Sequence, residues 1–158
     1  MQKTPLNQLH KEMGAKMTDF GGWEMPVEYS GIIEEHKAVR NQCGLFDVSH
    51  MGEILVSGKT ASESLQQIIT NDMQKLEVGK ILYTPMCNEN GGIIDDLLVY
   101  CLKDNEYLLV VNASNIEKDF NWVTKHNNFD AEVINASDEY SLLAVQGPKA
   151  VEAMQSLA

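Results

Sequence analysis

Basic residues are scarce in this chain. Twelve Lys and Arg stand against 23 Asp and Glu, giving a net charge of −11 at pH 7. Phosphate backbones are gripped by clustered Lys and Arg. No basic run occurs, so nucleic acid is set aside as a main partner, and the acidity speaks for solubility. Cysteine is scarce too. Cys43, Cys87 and Cys101 lie far apart and form no CxxC pair, which fits free thiols in a reducing compartment better than a disulfide frame. Four histidines lack the close spacing of a zinc site. Glu35-His36 does not begin an HExxH helix, because no second histidine follows. No metal is expected. No apolar run approaches the ~20 residues that span a bilayer, and the N-terminus has neither a signal-peptide apolar core nor an Arg-rich presequence. These absences point to a cytoplasmic, most simply bacterial, protein with no membrane partner.

What is present is ordinary for a globular domain: 158 residues, 44% hydrophobic and 22% charged, enough for one real core. Thr4-Pro5 with Leu6, Leu9 and Met13 predicts a short helix ended by Gly14. Residues 15–29 read as extended but irregular, interrupted by Gly21-Gly22 and Pro26. Gly31 to Asn41 reads as a helix with Ile32, His36 and Val39 on one stripe, closed by Gly44. Asp47, Ser49 and His50 crowd ahead of a strand at 53–57. A catalytic triad is assembled by geometry and rarely from one short segment, so a buried hydrogen-bonded corner is the better reading. Lys59 to Thr70 reads as helix. Gly79 to Cys87 reads as a strand that Pro85 marks as an edge or a bulge. Strands follow at 107–111, 131–135 and 141–146, with a helix from Asn115 to about 127. Pro148 opens a last helix, with Val151, Met154 and Leu157 on one face. That helix runs into the chain end without a cap, as expected of a piece of a longer polypeptide. The expected class is α+β: an antiparallel sheet with helices on one face and ferredoxin-like βαββαβ character. Residues 1–50 are expected to pack as helices and an extended segment on a sheet domain of residues 51–158.

One stretch stands out. Asn88 to Gly92 is rich in turn formers, and Ile93 to Tyr100 has the branched and aromatic residues of a strand, entered as a hairpin. Asp95 and Asp96 interrupt that apolar run. Alternation places Ile93, Asp95, Leu97 and Val99 on one face and Ile94, Asp96, Leu98 and Tyr100 on the other. Asp96 at the wall of an apolar pocket is one reading, since ligand sites tolerate such costly groups. Two solvated or capping carboxylates near a strand end is the other, and pattern alone gives it more weight. Asn112 ends the following strand and reads as a turn cap before it reads as a ligand contact.

The motifs Thr4-Pro-Leu6, Asp19-Phe-Gly-Gly-Trp-Glu-Met-Pro26, Glu35-His-Lys-Ala-Val-Arg40, Phe46-Asp-Val-Ser-His-Met51, Thr70-Asn-Asp72, Gly91-Gly-Ile-Ile-Asp-Asp-Leu97, Val111-Asn-Ala-Ser-Asn115, Glu117-Lys-Asp119 and Val145-Gln-Gly-Pro148 occur in order along nearly the whole chain. Together they resemble the N-terminal part of the glycine cleavage system T-protein family. Members of that family are roughly twice this long and form a three-domain ring around a tetrahydrofolate pocket. The resemblance implies an aminomethyltransferase that takes the aminomethyl group from the lipoyl arm of H-protein, releases ammonia and forms 5,10-methylenetetrahydrofolate. It implies that Asp96 is the essential aspartate and that Met51, Tyr83, Leu98, Tyr100, Val110 and Asn112 line the folate pocket; Asp95, which points to the other face, is read as structural. It further implies that this stretch alone has little activity and tends to self-associate through apolar surface. The alternative is a non-catalytic folate-binding module of the iron–sulfur assembly type. Phe46–Met51 and Gly91–Asp96 resemble the enzyme much more closely.

Overall fold

A computed structural model describes residues 1–155 and 157. The chain divides into two compact units, one of residues 51–140 and one of residues 1–50 with 141 onward.

The first unit begins with helix α1 (Asn7–Glu12) and the hairpin β1 (Lys16–Phe20) and β2 (Trp23–Glu28). Gly21 and Gly22 both have positive φ. They therefore turn the chain instead of merely interrupting it, and the expected irregular segment becomes a paired ladder. Helix α1 also departs from its predicted stripe. Leu9 and Met13 are exposed, while the polar Asn7 and His10 are buried. Helix α2 (Ile32–Asn41) follows and buries none of its residues, the Ile32 stripe included. Gly44 does not close that helix. It opens strand β3 (Gly44–Asp47), where a Cβ would collide with Val39.

Strand β9 (Leu143–Gln146) pairs antiparallel with β3, Asp47 opposite Leu143 and Gly44 opposite Gln146. This assigns the stretch after Tyr140, expected within the sheet domain 51–158, to the same unit as residues 1–50. Helix α5 (Ala150–Gln155) follows β9 in the same unit. Asp47 and Ser49 form the buried, hydrogen-bonded corner expected, whereas the buried His50 Nδ1 has no hydrogen-bond partner among the described residues. Asp47 Oδ2 accepts from Thr4 Oγ1 at 2.6 Å and lies 2.9 Å from His10 Nε2, and Oδ1 accepts from the Ser49 amide at 3.0 Å. His10 Nδ1 meets the Tyr29 hydroxyl at 2.7 Å.

The second unit is an antiparallel sheet ordered β5-β6-β7-β4-β8, built from β4 (Gly52–Ser57), β5 (Ile81–Cys87), β6 (Ile93–Lys103), β7 (Glu106–Val111) and β8 (Glu132–Asn135). Helix α3 (Ala61–Gln66), shorter than the predicted span, joins β4 to β5, and α4 (Ile116–Lys125) joins β7 to β8. One sheet face supplies Ile54, Val56, Leu97, Val99, Leu109 and Val111 to the core, where Leu65 and Val123 of the helices join them. Burying each such side chain contributes about 1.5–3 kcal/mol. Strand β5 lies at the sheet edge, which is where Pro85, with no N–H to donate, is tolerated. The turn into β6 is built by Asn88, whose Oδ1 accepts from the amides of Asn90 and Gly92 at 3.0 and 2.9 Å.

Candidate functional site

Helices α3 and α4 contribute to the core on one face of the sheet, and the register places Tyr83, Leu98, Tyr100 and Val110 of the expected pocket residues on the other. Tyr83 on β5 stands opposite Leu98 on β6, Leu98 opposite Val110 on β7, and Val110 opposite Glu53 on β4. Residues directly opposite in an antiparallel ladder share a face, so these four form one row across the sheet. Asp96 and Tyr100 flank Leu98 on the same face of β6. Tyr83 is 64% exposed and Asp96 is exposed, Leu98 and Tyr100 are half-buried, and Val110 is buried. The face is therefore open at the β5–β6 edge and closed toward β4. Met51, half-buried, and Asn112 stand just beyond the paired ends of β4 and β7.

The Tyr83 hydroxyl donates to Asp96 Oδ2 at 2.6 Å. That hydrogen bond and the Asp96 charge push the Tyr83 phenol above its ordinary range, because losing the proton would set two anions side by side. No donor among the described residues bonds Asp96 Oδ1, so that oxygen can accept from a further one.

Asn112 does not project freely into this face. Its amide nitrogen donates to Asp95 Oδ1 at 3.0 Å and to the Asp96 carbonyl at 3.2 Å. Both partners are acceptors, which fixes the amide orientation and leaves the Asn112 carbonyl oxygen as the group a ligand can meet. Asp95 lies on the core face of β6 and is buried. Its Oδ2 accepts from Asn115 Nδ2 at 2.9 Å. Burial pushes the Asp95 carboxyl up, but the bonds from Asp119, Asn115 and Asn112 outweigh it and hold the group below the usual carboxylate range. Asn115, expected as a side-chain cap of α4, makes no cap bond and serves Asp95 instead.

Residues 6–158 match the GCVT N-terminal domain model. The chain belongs to the GCVT N-terminal domain family. It is 64% identical over 157 residues to an aminomethyltransferase of Halothermothrix orenii, and 54% identical over 156 residues to one of Natranaerobius thermophilus. Each alignment takes in 99% of this chain, but 44% and 43% of those proteins. The structure of the glycine cleavage system aminomethyltransferase T from Bartonella henselae superposes with a TM-score of 0.91 at 39% identity, over 98% of this chain and 43% of that one. The chain thus spans somewhat less than half the length of the curated relatives it matches. The α+β reading with an antiparallel sheet holds for this member of the GCVT N-terminal domain family.

Two buried carboxyls in the sheet unit escaped the sequence reading. Glu53 is 1% exposed, neither oxygen finds a hydrogen-bond partner among the described residues, and burial pushes its carboxyl up to about 7. Its place on the same strand face as Leu55 and Ser57 was readable from alternation. Asp119 is fully buried. Its signal was helical: Asp119 and Val123 are four apart, so the aspartate shares the inward face of α4. Among the described residues no group of three metal-ligating side chains gathers, and no helix is long and apolar enough to cross a membrane.

Proposed function

We propose that the protein carrying this chain is the tetrahydrofolate-dependent aminomethyltransferase of the glycine cleavage system, acting in the bacterial cytoplasm. The observation that carries the reading is the 64% identity to an aminomethyltransferase along 99% of the chain, with a carboxylate displayed on the open sheet face where the folate would lie. The substrates are the aminomethyl group borne by the lipoyl arm of H-protein and tetrahydrofolate as co-substrate. The carbon–sulfur and carbon–nitrogen bonds of the aminomethyl group break. Folate N5 and N10 each bond to the freed carbon, and their two protons leave with the thiol and the ammonia. The product is 5,10-methylenetetrahydrofolate.

Asp96 is the catalytic residue in this reading. Its free Oδ1 accepts or relays a proton as N10 attacks, and its charge stabilises an iminium-like carbon. Met51, Tyr83, Leu98, Tyr100, Val110 and Asn112 form the folate wall. The apolar members hold the flat ring system, and the Asn112 carbonyl oxygen accepts a pterin N–H. Residues 1–158 supply one wall of the pocket, turn over little alone, and self-associate through exposed apolar side chains such as Ile32 and Ile33. The relatives' names favour this reading over a non-catalytic folate-binding module.

The test is calorimetric titration of tetrahydrofolate into the protein carrying this chain, with an ammonia-release assay on lipoyl-loaded H-protein, for the wild type and Asp96→Ala. Binding and ammonia release that Asp96→Ala abolishes support the reading. Equal binding and equal turnover in the two proteins would remove Asp96 from the site.

A further inference from the structure

Behind Asp96, on the opposite side of the same strand, lies a second carboxyl pair. Asp119 projects from the first turn of α4 and is 0% exposed. No donor among the described residues bonds either of its oxygens. The cation nearest to it, Lys118, has its Nζ 3.9 Å from Asp119 Oδ1 and donates instead to the Ile94 carbonyl at 2.8 Å. What Asp119 meets is the Asp95 side chain. Two carboxyls set against each other out of water favour a proton on one of them, because two carboxylates offer only acceptors and repel. Asp95 has donors from Asn112 and Asn115 on its two oxygens, while Asp119 has none. The proton therefore resides on Asp119, and Asp95 is the anion.

We infer that Asp119 is a positioning residue for Asp96: as a protonated acid it donates to Asp95, Asp95 holds Asn112, and the Asn112 amide pins the Asp96 carbonyl. This rests on Asp96 being the functional carboxylate of the open face. Beyond Asp95 the links are direct: Asn112 Nδ2 lies 3.0 Å from Asp95 Oδ1 and 3.2 Å from the Asp96 carbonyl oxygen. The electrostatics agree in direction. Burial, then the hydrogen bond and charge of Asp95, push the Asp119 carboxyl up to about 8, with Asp96 adding to the rise and Lys118 opposing it. Loss of the proton would leave three carboxylates clustered at one strand. Ion–ion repulsion between Asp119 and Asp95 would then release Asn112, and with it the backbone of Asp96.

The experiment has an arm that needs no folate. Carbon-13 NMR of the aspartate side chains in this chain, followed from pH 6 to pH 9, reads the Asp119 carboxyl directly. The Tyr83 ring and the Asn112 side-chain amide report on Asp96 in the same spectra. Asp119 should be protonated at pH 7, and the Tyr83 and Asn112 signals should shift with the Asp119 midpoint. Asp119→Asn keeps a donor facing Asp95 and should abolish that shift while keeping the pH 7 positions. An ionised Asp119 at pH 7, or Tyr83 and Asn112 signals that stay flat through its midpoint, would overturn the inference. In the second arm, tetrahydrofolate affinity of the protein carrying this chain should fall several-fold from pH 7 to pH 9, and Asp119→Asn should flatten that fall. Absence of folate binding at every pH with the NMR shifts present would count against the folate reading while leaving the positioning network established. Folate affinity that falls identically in Asp119→Asn would overturn the network's role.

Discussion

Tyr83 hydrogen-bonds Asp96 and not the residue opposite it. Its ladder partner is Leu98, yet its hydroxyl reaches two residues along β6 to Asp96 Oδ2 at 2.6 Å. The diagonal hydrogen bond engages one of the two carboxylate oxygens of Asp96. Replacing Asp96 by Asn removes the charge, so the Tyr83 phenol should return toward the ordinary tyrosine range. Spectrophotometric titration of tyrosine ionisation in this chain reads the change directly. Tyr83→Phe should weaken tetrahydrofolate binding roughly tenfold or less, as loss of one hydrogen bond does. A Tyr83 midpoint that ignores the Asp96→Asn change would show that the bond is not formed in solution.

Stability should fall as pH rises from about 5 to 8. Asp119 and Glu53 have folded-state values raised to about 8 and about 7, above the unfolded carboxylate range. Between the unfolded and folded values the unfolded chain has released a proton that the native chain still holds, so each step in pH favours unfolding. The slope approaches about 1.4 kcal/mol per pH unit for each such group. Burial lowers His50, which adds stability as pH rises toward 6.5 and so opposes the trend only below pH 7. Between pH 7 and 8 the slope belongs mainly to Asp119. Urea unfolding across this range should show it, with Asp119→Asn flattening the upper part and Glu53→Gln the lower. Unchanged slopes in both variants would mean that neither group is buried as a neutral acid.

Gly52→Ala should destabilise the sheet unit by about 1–3 kcal/mol, the usual cost of overpacking. Gly52 opens β4 opposite Val111, and a Cβ there would lie 2.5 Å from Ile116 Cγ1 and 2.8 Å from Val111 Cγ2. The space is closed because the start of α4 sits against this end of the strand. A thermal melt of the variant that matches the wild type would show that Ile116 can move aside.

The sheet unit was legible because its signals are local. Alternation fixed the faces of β6, Asn88 and Gly91 marked the hairpin, and Pro85 marked the edge. The α1 stripe failed because it assumed that apolar residues face inward. There a buried Asp47 draws in His10 and Thr4, and the apolar Leu9 and Met13 face out. Gly44 was misread because a glycine after a helix has two uses, a left-handed cap or a close approach, and only the Val39 contact distinguishes them. At the site, sequence alternation placed Asp96 and its face-mates. It could not show that Asn112 turns its donors back onto Asp95 and the Asp96 carbonyl, because that choice depends on where β7 ends relative to β6. The Asp95–Asp119 contact joins a strand to a helix across the core, a separation at which no spacing rule operates.

The pairing of β3 with β9 has a consequence for biosynthesis. Asp47 must wait for Leu143 before its strand gains a partner, and every residue of the sheet unit emerges from the ribosome in between. That unit has its hairpins and both crossover helices within its own stretch of chain, so it can condense while β3 is still unmatched. The first unit is completed last, when the chain returns. Until then a lone strand with Leu45 and Phe46 stands open on the nascent protein, and that interval is when a chaperone has most to guard.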